Sequence, residues 1–66
     1  MEIDVTAVRL AMADAGMNIS QLAKKAHVSK GTAVRYASKG GNGSPTTFHK
    51  IGVALNVKPS TLVLVR

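Results

Sequence analysis

Two helix-start signals, Asn18 and Ser29, stand so close together that the chain between them has room for about two turns of helix and a tight bend. Asn18 is followed three places on by Gln21, a variant of the capping box in which each side chain serves the other's backbone N–H. Met17 and Leu22 flank it as a hydrophobic staple. Leu22, Ala23 and Ala26 mark a buried face, while Lys24 and Lys25 point outward. Ser29 is the N-cap of a third helix running from Lys30 to about Ala37. Ala33, Tyr36 and Ala37 form its buried face, and Lys30, Gly31, Val34 and Arg35 form the opposite one. Two short helices joined only by "HVS" cross steeply, and steep crossing needs small residues where the backbones touch. Ala23 and Ala33 stand there, and Val28 plugs the turn. The spacing describes a helix-turn-helix.

The flanking sequence supplies a body for that pair. Over residues 3–15, Val5, Val8, Met12 and Ala15 recur at helical spacing. Asp4 caps the start and Gly16 suits the stop. Leu10 lies off the stripe, with no explanation within a monomer. "SKGGNGSP" is a turn-rich loop. Ser44 and Pro45 then start a fourth helix, whose core face is Phe48, Ile51, Gly52 and Leu55 and whose end is Asn56. Lys58, Pro59 and Ser60 begin a last short element, "STLVLVR", readable as a helical turn or an extended strand; a short helix is favoured. The expectation is one all-α domain over residues 1–66, a compact bundle of four to five helices.

A core this small supplies about 3–5 kcal/mol of net stability. With no cysteine, neither disulfides nor thiolate zinc sites can add to it. Two histidines and three acids, spread along the chain, offer no metal site. No acid, base and nucleophile converge, so no catalytic role or cofactor is expected. His49, beside Phe48, reads as a surface or core-edge histidine. No apolar run approaches the ~20 residues of a membrane span, and nothing reads as a signal peptide. The cysteine-free composition fits a reducing cytoplasm.

Charge narrows the choice of partner. The formal net charge is +6, and from Ala15 to Arg66 there are eight basic residues and no acid. Such a segment attracts polyanions. Single-strand binders stack bases on aromatic platforms, and this chain offers only Tyr36 and Phe48. Tyr36 reads as core in any case. The composition therefore points to a duplex.

The stretch "ISQLAKKAHVSKGTAVRYAS" resembles the helix-turn-helix of the phage-repressor family (Cro/C1-type, also called XRE). Leu22, Ala23, Val28, Ser29 and Thr32 stand where the family's pattern puts such residues. Downstream, "SPTTFHKIGVALNVKPSTL" resembles the family's fourth helix and the start of its fifth, so the likeness covers about residues 5–64. It implies a lambda-repressor-like fold and a sequence-specific regulator of transcription that binds double-stranded DNA. Three departures stand out. Ile19 replaces the family's usual phosphate-contacting Gln, so contact there falls to backbone N–H groups. His27 replaces the usual Gly at a turn position that tends to need positive φ. Ala33 replaces a branched aliphatic, and Tyr36 is placed to compensate for the lost volume.

On this reading the third helix enters the major groove. Arg35 is the candidate for bidentate contact with guanine. Lys30 reaches a base or a phosphate. Gly31 either allows close backbone approach or is a tolerated first-turn glycine. Val34 meets a thymine methyl or is an incidental exposed valine. Phosphate candidates are Ile19 and Ser20 at the start of the second helix, Lys24 and Ser29, and Lys39, Asn42 and Ser44 in the following loop. A homodimer on DNA is expected, with Val63, Leu64 and Val65 as its contact and Leu62 closing the monomer's own core. No small-molecule ligand is expected. The alternative is an antitoxin- or antirepressor-type protein whose main partner is another protein, met through the apolar tail.

Overall fold

A computed structural model describes residues 1–65 of the chain. Asp4 Oδ1 accepts from the Ala7 amide at 3.0 Å and starts α1, Val5–Ala15. Gly16, at φ 65°, stops it. The buried face of α1 is Val8, Ala11 and Met12. Ala15, expected on that face, is exposed because it is the last helical residue before the chain turns away at Gly16. Leu10 is also exposed.

The helix α2, Ile19–Ala26, opens with the full reciprocal box: Gln21 N donates to Asn18 Oδ1 at 2.8 Å, and Asn18 N donates to Gln21 Oε1 at 2.9 Å. It closes on His27 in the left-handed region, φ 57°. Val28 N donates to Ala23 O at 3.1 Å and His27 N to Lys24 O at 3.3 Å. These two bonds satisfy the terminal carbonyls in the pattern that a left-handed residue after a helix makes available. Ser29 Oγ then caps α3, Lys30–Val34, by accepting from Thr32 N at 3.1 Å.

The third helix does not run to Ala37 in one register. After Val34 the chain widens into a single π-helical turn, Arg35–Lys39, in which Gly40 N donates to Arg35 O at 2.7 Å. The wider turn keeps Tyr36 and Ala37 buried together while Arg35 and Lys39 remain exposed. The Tyr36 ring packs edge-on against Phe48, with centroids 5.1 Å apart. Its hydroxyl lies directly against Gly43, where a Cβ would collide with it.

Ser44 caps α4, Pro45–Leu55, through Thr47 N at 3.2 Å, and Asn56 ends it at φ 58°. Phe48, Ile51, Gly52, Ala54 and Leu55 are buried. A Cβ on Gly52 would stand 3.0 Å from both Pro59 Cγ and Val57 O, so glycine lets the chain fold back closely here. The last element is helical only over the 3₁₀ turn Pro59–Leu62. Leu62 is 1% exposed and closes the core, as expected. Val63 is extended, contrary to the short helix favoured from sequence.

The extended ending has a partner. The chain's first four residues lie between two neighbours and bond to them alternately. Ile3 N donates to Gly41 O and Gly43 N to Met1 O, both at 2.8 Å, on the loop side. Asp4 N donates to Leu62 O at 2.9 Å and Leu64 N to Glu2 O at 2.8 Å on the C-terminal side. This alternation is that of a central strand, although among the described residues only the isolated pairs Glu2–Asn42 and Ile3–Val63 form. The β-branched Val63 suits this pairing. Overall the protein is all-helical and compact, with a radius of gyration of 10.0 Å. Its core is apolar, and among the described residues no charged side chain is buried.

Candidate nucleic-acid interface

The capping box at α2 decides which backbone amides are left over. Asn18 N, Gln21 N and Leu22 N all have acceptors within the box or at Asn18 O. The amides of Ile19 and Ser20 have none among the described residues. Two adjacent open N–H groups at a helix start, reinforced by the helix dipole, favour an anion. At α3, Ser29 serves Thr32 N and Ala33 N, leaving the Lys30 and Gly31 amides open. Neither first turn contains an acid.

The two helix starts meet at one open groove of about 670 Å³. Ile19, Ser20, Lys30 and Val34 line it, so four of the residues singled out from sequence converge. Arg9 from α1 and Ser38 from the π turn line it as well. The sequence reading missed both. Arg9 carried a usable signal, since it is the one basic residue of α1 and sits one helical turn before Met12 and Ala13. Ser38 carried none, because its position depends on the π turn. Lys24 borders a smaller hollow beside Ser20, Val28 and Lys30.

Arg35 and Asn42 are joined directly. An Arg35 Nη2 N–H donates to the Asn42 main-chain carbonyl. Gly41 lies beneath the guanidinium, with Arg35 Nη2 3.8 Å from where its Cβ would be. Lys39 is exposed at the end of the π turn. Ser29 and Ser44 are committed differently from the lysines. Each hydroxyl accepts a backbone N–H and also lies 2.9 Å from a threonine hydroxyl, Thr32 for Ser29 and Thr47 for Ser44. Their first role is capping.

Gly31 stands in open space: the nearest atom to a Cβ there would be Ser29 Oγ, at 3.9 Å. Nothing inside the protein requires glycine at that position. Burial pushes the Tyr36 phenol above its ordinary range, against the opposing pull of the Arg35 guanidinium and the Thr47 hydroxyl. Among the described residues the hydroxyl makes no hydrogen bond of ordinary geometry. It is a core group, not a stacking surface.

Val63, Leu64 and Val65 lie along the N-terminal segment. Val63 is half-buried and packs on the core, so it is largely used within the monomer. Leu64 and Val65 are exposed, at 38% and 84%. Among the described residues no group of histidine, cysteine and carboxylate side chains could hold a metal ion, and no helix is long and apolar enough to cross a membrane. No protein-family model, no curated protein and no solved structure matches the chain.

Proposed function

We propose that this protein is a duplex-DNA-binding regulator of transcription, with α2 and α3 as a helix-turn-helix on a lambda-repressor-like scaffold. One observation carries the reading. The free amides at the starts of α2 and α3 open beside a basic outer face, in a stretch of chain that has no acid.

The roles follow from chemistry. The Ile19 and Ser20 amides take one phosphate, and Lys24, Lys39 and Asn42 take others. These contacts supply affinity and its salt dependence. Lys30, Gly31, Val34 and Arg35 face the base edges and supply sequence choice. Repression by occluding an operator is the simplest mechanism for such a module, and pairing of two copies on a palindrome supplies the discrimination one short helix lacks.

Selection of bound duplexes from a random pool tests this. A consensus should emerge, and the selected duplex should bind at least ~10³-fold more tightly than random duplex at the same salt. Recovery of no consensus, with equal affinity for single strands and duplex, would reject the reading.

A further inference from the structure

The groove between α1, α2 and α3 has a composition that a phosphate backbone does not match. Its floor is apolar: Met12, Met17, Ile19, Val34 and Ala37. Its cations are Arg9 from α1 and Lys30 from α3, and among the described residues no acid lines it. A nucleic-acid strand brings the charge and leaves the floor unfilled. A membrane surface is flat, and this site is concave. An amphipathic segment of another protein brings both components, large apolar side chains for the floor and carboxylates for the cations. Two methionines in the floor suit such a guest, because an unbranched thioether side chain repacks around different apolar shapes.

We propose that this groove is a docking site for an acidic amphipathic helix of a partner protein. Ile19, Ser20, Lys30 and Val34 belong to both this groove and the duplex-binding face. A docked helix therefore displaces DNA. The displacement rests on the duplex reading given above, whereas the docking does not.

The probe is a synthetic helix-forming peptide of about 14 residues, with leucine and phenylalanine on one face and glutamate on the rest. Amide chemical-shift changes on titration should centre on Met17, Ile19, Ser20, Lys30 and Val34. The variant Ala13→Phe fills the groove from the exposed side of α1, at a residue that is itself assigned no DNA contact. It should weaken the peptide about tenfold or more, and leave the melting temperature near that of the parent. Arg9→Gln should weaken the peptide, and a lysine-for-glutamate version of the peptide should not bind. Adding selected duplex should release the peptide. Shift changes elsewhere, equal binding by Ala13→Phe, or equal binding of the lysine peptide would overturn the proposal. Loss of duplex binding in Ala13→Phe, without loss of peptide, would assign the groove to DNA instead. Peptide docking in the groove with no duplex binding at all would keep the docking site and reject the duplex reading.

Discussion

The Arg35 guanidinium is tied to the Asn42 main-chain carbonyl, so the outer face of the third helix and the loop that follows it are one unit. A guanidinium has five N–H donors, and this tie leaves an edge free for a second acceptor. The tie also holds a long side chain in one orientation before any ligand arrives, which lowers the entropy cost of using it. Asn42 is in turn paired with Glu2, so the same contact leads into the N-terminal segment.

Arg35→Ala should relax preference at one base pair and cost about 1–3 kcal/mol there. It should also speed hydrogen exchange at the Gly43 amide, since the loop loses an anchor. Arg35→Lys keeps the charge and lacks the fork, so it should behave like Ala in specificity. Lys39→Ala should weaken all duplexes alike and flatten the salt slope by about one unit. Equal losses on selected and random duplex for both variants would show that Arg35 only adds charge.

Gly31→Ala separates stability from binding. The added Cβ meets only Ser29 Oγ at 3.9 Å, so the helix should gain up to about 1 kcal/mol. If a groove approaches the backbone closely at this point, the same methyl should weaken duplex binding. A variant that melts higher and binds equally well would make Gly31 a tolerated glycine with no contact role.

The parts of the fold that local chemistry controls were legible in the sequence. Asn18 with Gln21, Ser29, Ser44 with Pro45, Gly16 and Asn56 each act within a few residues, and each starts or stops a helix where expected. The apolar spacing located α4's core face for the same reason. The features that escaped depend on tertiary contact. The π turn accommodates Tyr36 between Gly43 and Phe48, residues distant in sequence. Val63 is extended because Ile3 and Glu2 lie alongside it. Within the candidate interface, helix-start positions were legible from the caps. The Arg35 tie and the place of Arg9 in the groove needed the fold.

His27→Gly tests the strain at the turn. His27 holds φ 57° with its side chain exposed. Glycine occupies that region without the Cβ penalty, so the variant should gain about 1 kcal/mol despite glycine's larger unfolded-state entropy. The readout is the unfolding midpoint. A lower midpoint would show that the imidazole contributes a contact worth more than the strain.

Tyr36→Phe tests the buried hydroxyl. Without a well-formed hydrogen bond the hydroxyl carries a desolvation cost, so the variant should melt no lower than the parent. The phenol's ionisation is raised in the folded protein. Below the unfolded value, about 10, both states are protonated and the group makes no pH-dependent difference. Above it the unfolded chain loses its proton first, so stability falls as pH rises toward the folded value. Tyr36→Phe should remove that part of the alkaline decline. An unchanged decline would place its origin in another group.

Assembly can be tested at Val65. A single short helix offers few base contacts, and useful discrimination calls for two copies placed about 34 Å apart on a palindrome. Leu62 is consumed by the core, Val63 packs against it, and Leu64 N is bonded to Glu2 O. That leaves the Leu64 and Val65 side chains as the exposed apolar pair, with Val65 at 84% the most accessible large apolar residue among those described. Val65→Glu adds a charge without touching any buried contact, so folding should be unchanged. In the proposed dimer like charges would then face each other across the two-fold axis, and cooperative two-copy binding to an intact palindrome should collapse to independent binding of single copies. Scrambling one half-site should produce the same loss in the parent protein. Both effects are read in one titration, from the steepness of the binding curve and the stoichiometry at saturation. Tight one-to-one binding to the scrambled duplex, unaltered by Val65→Glu, would show that the protein works as a monomer and that Leu64 and Val65 serve some other contact.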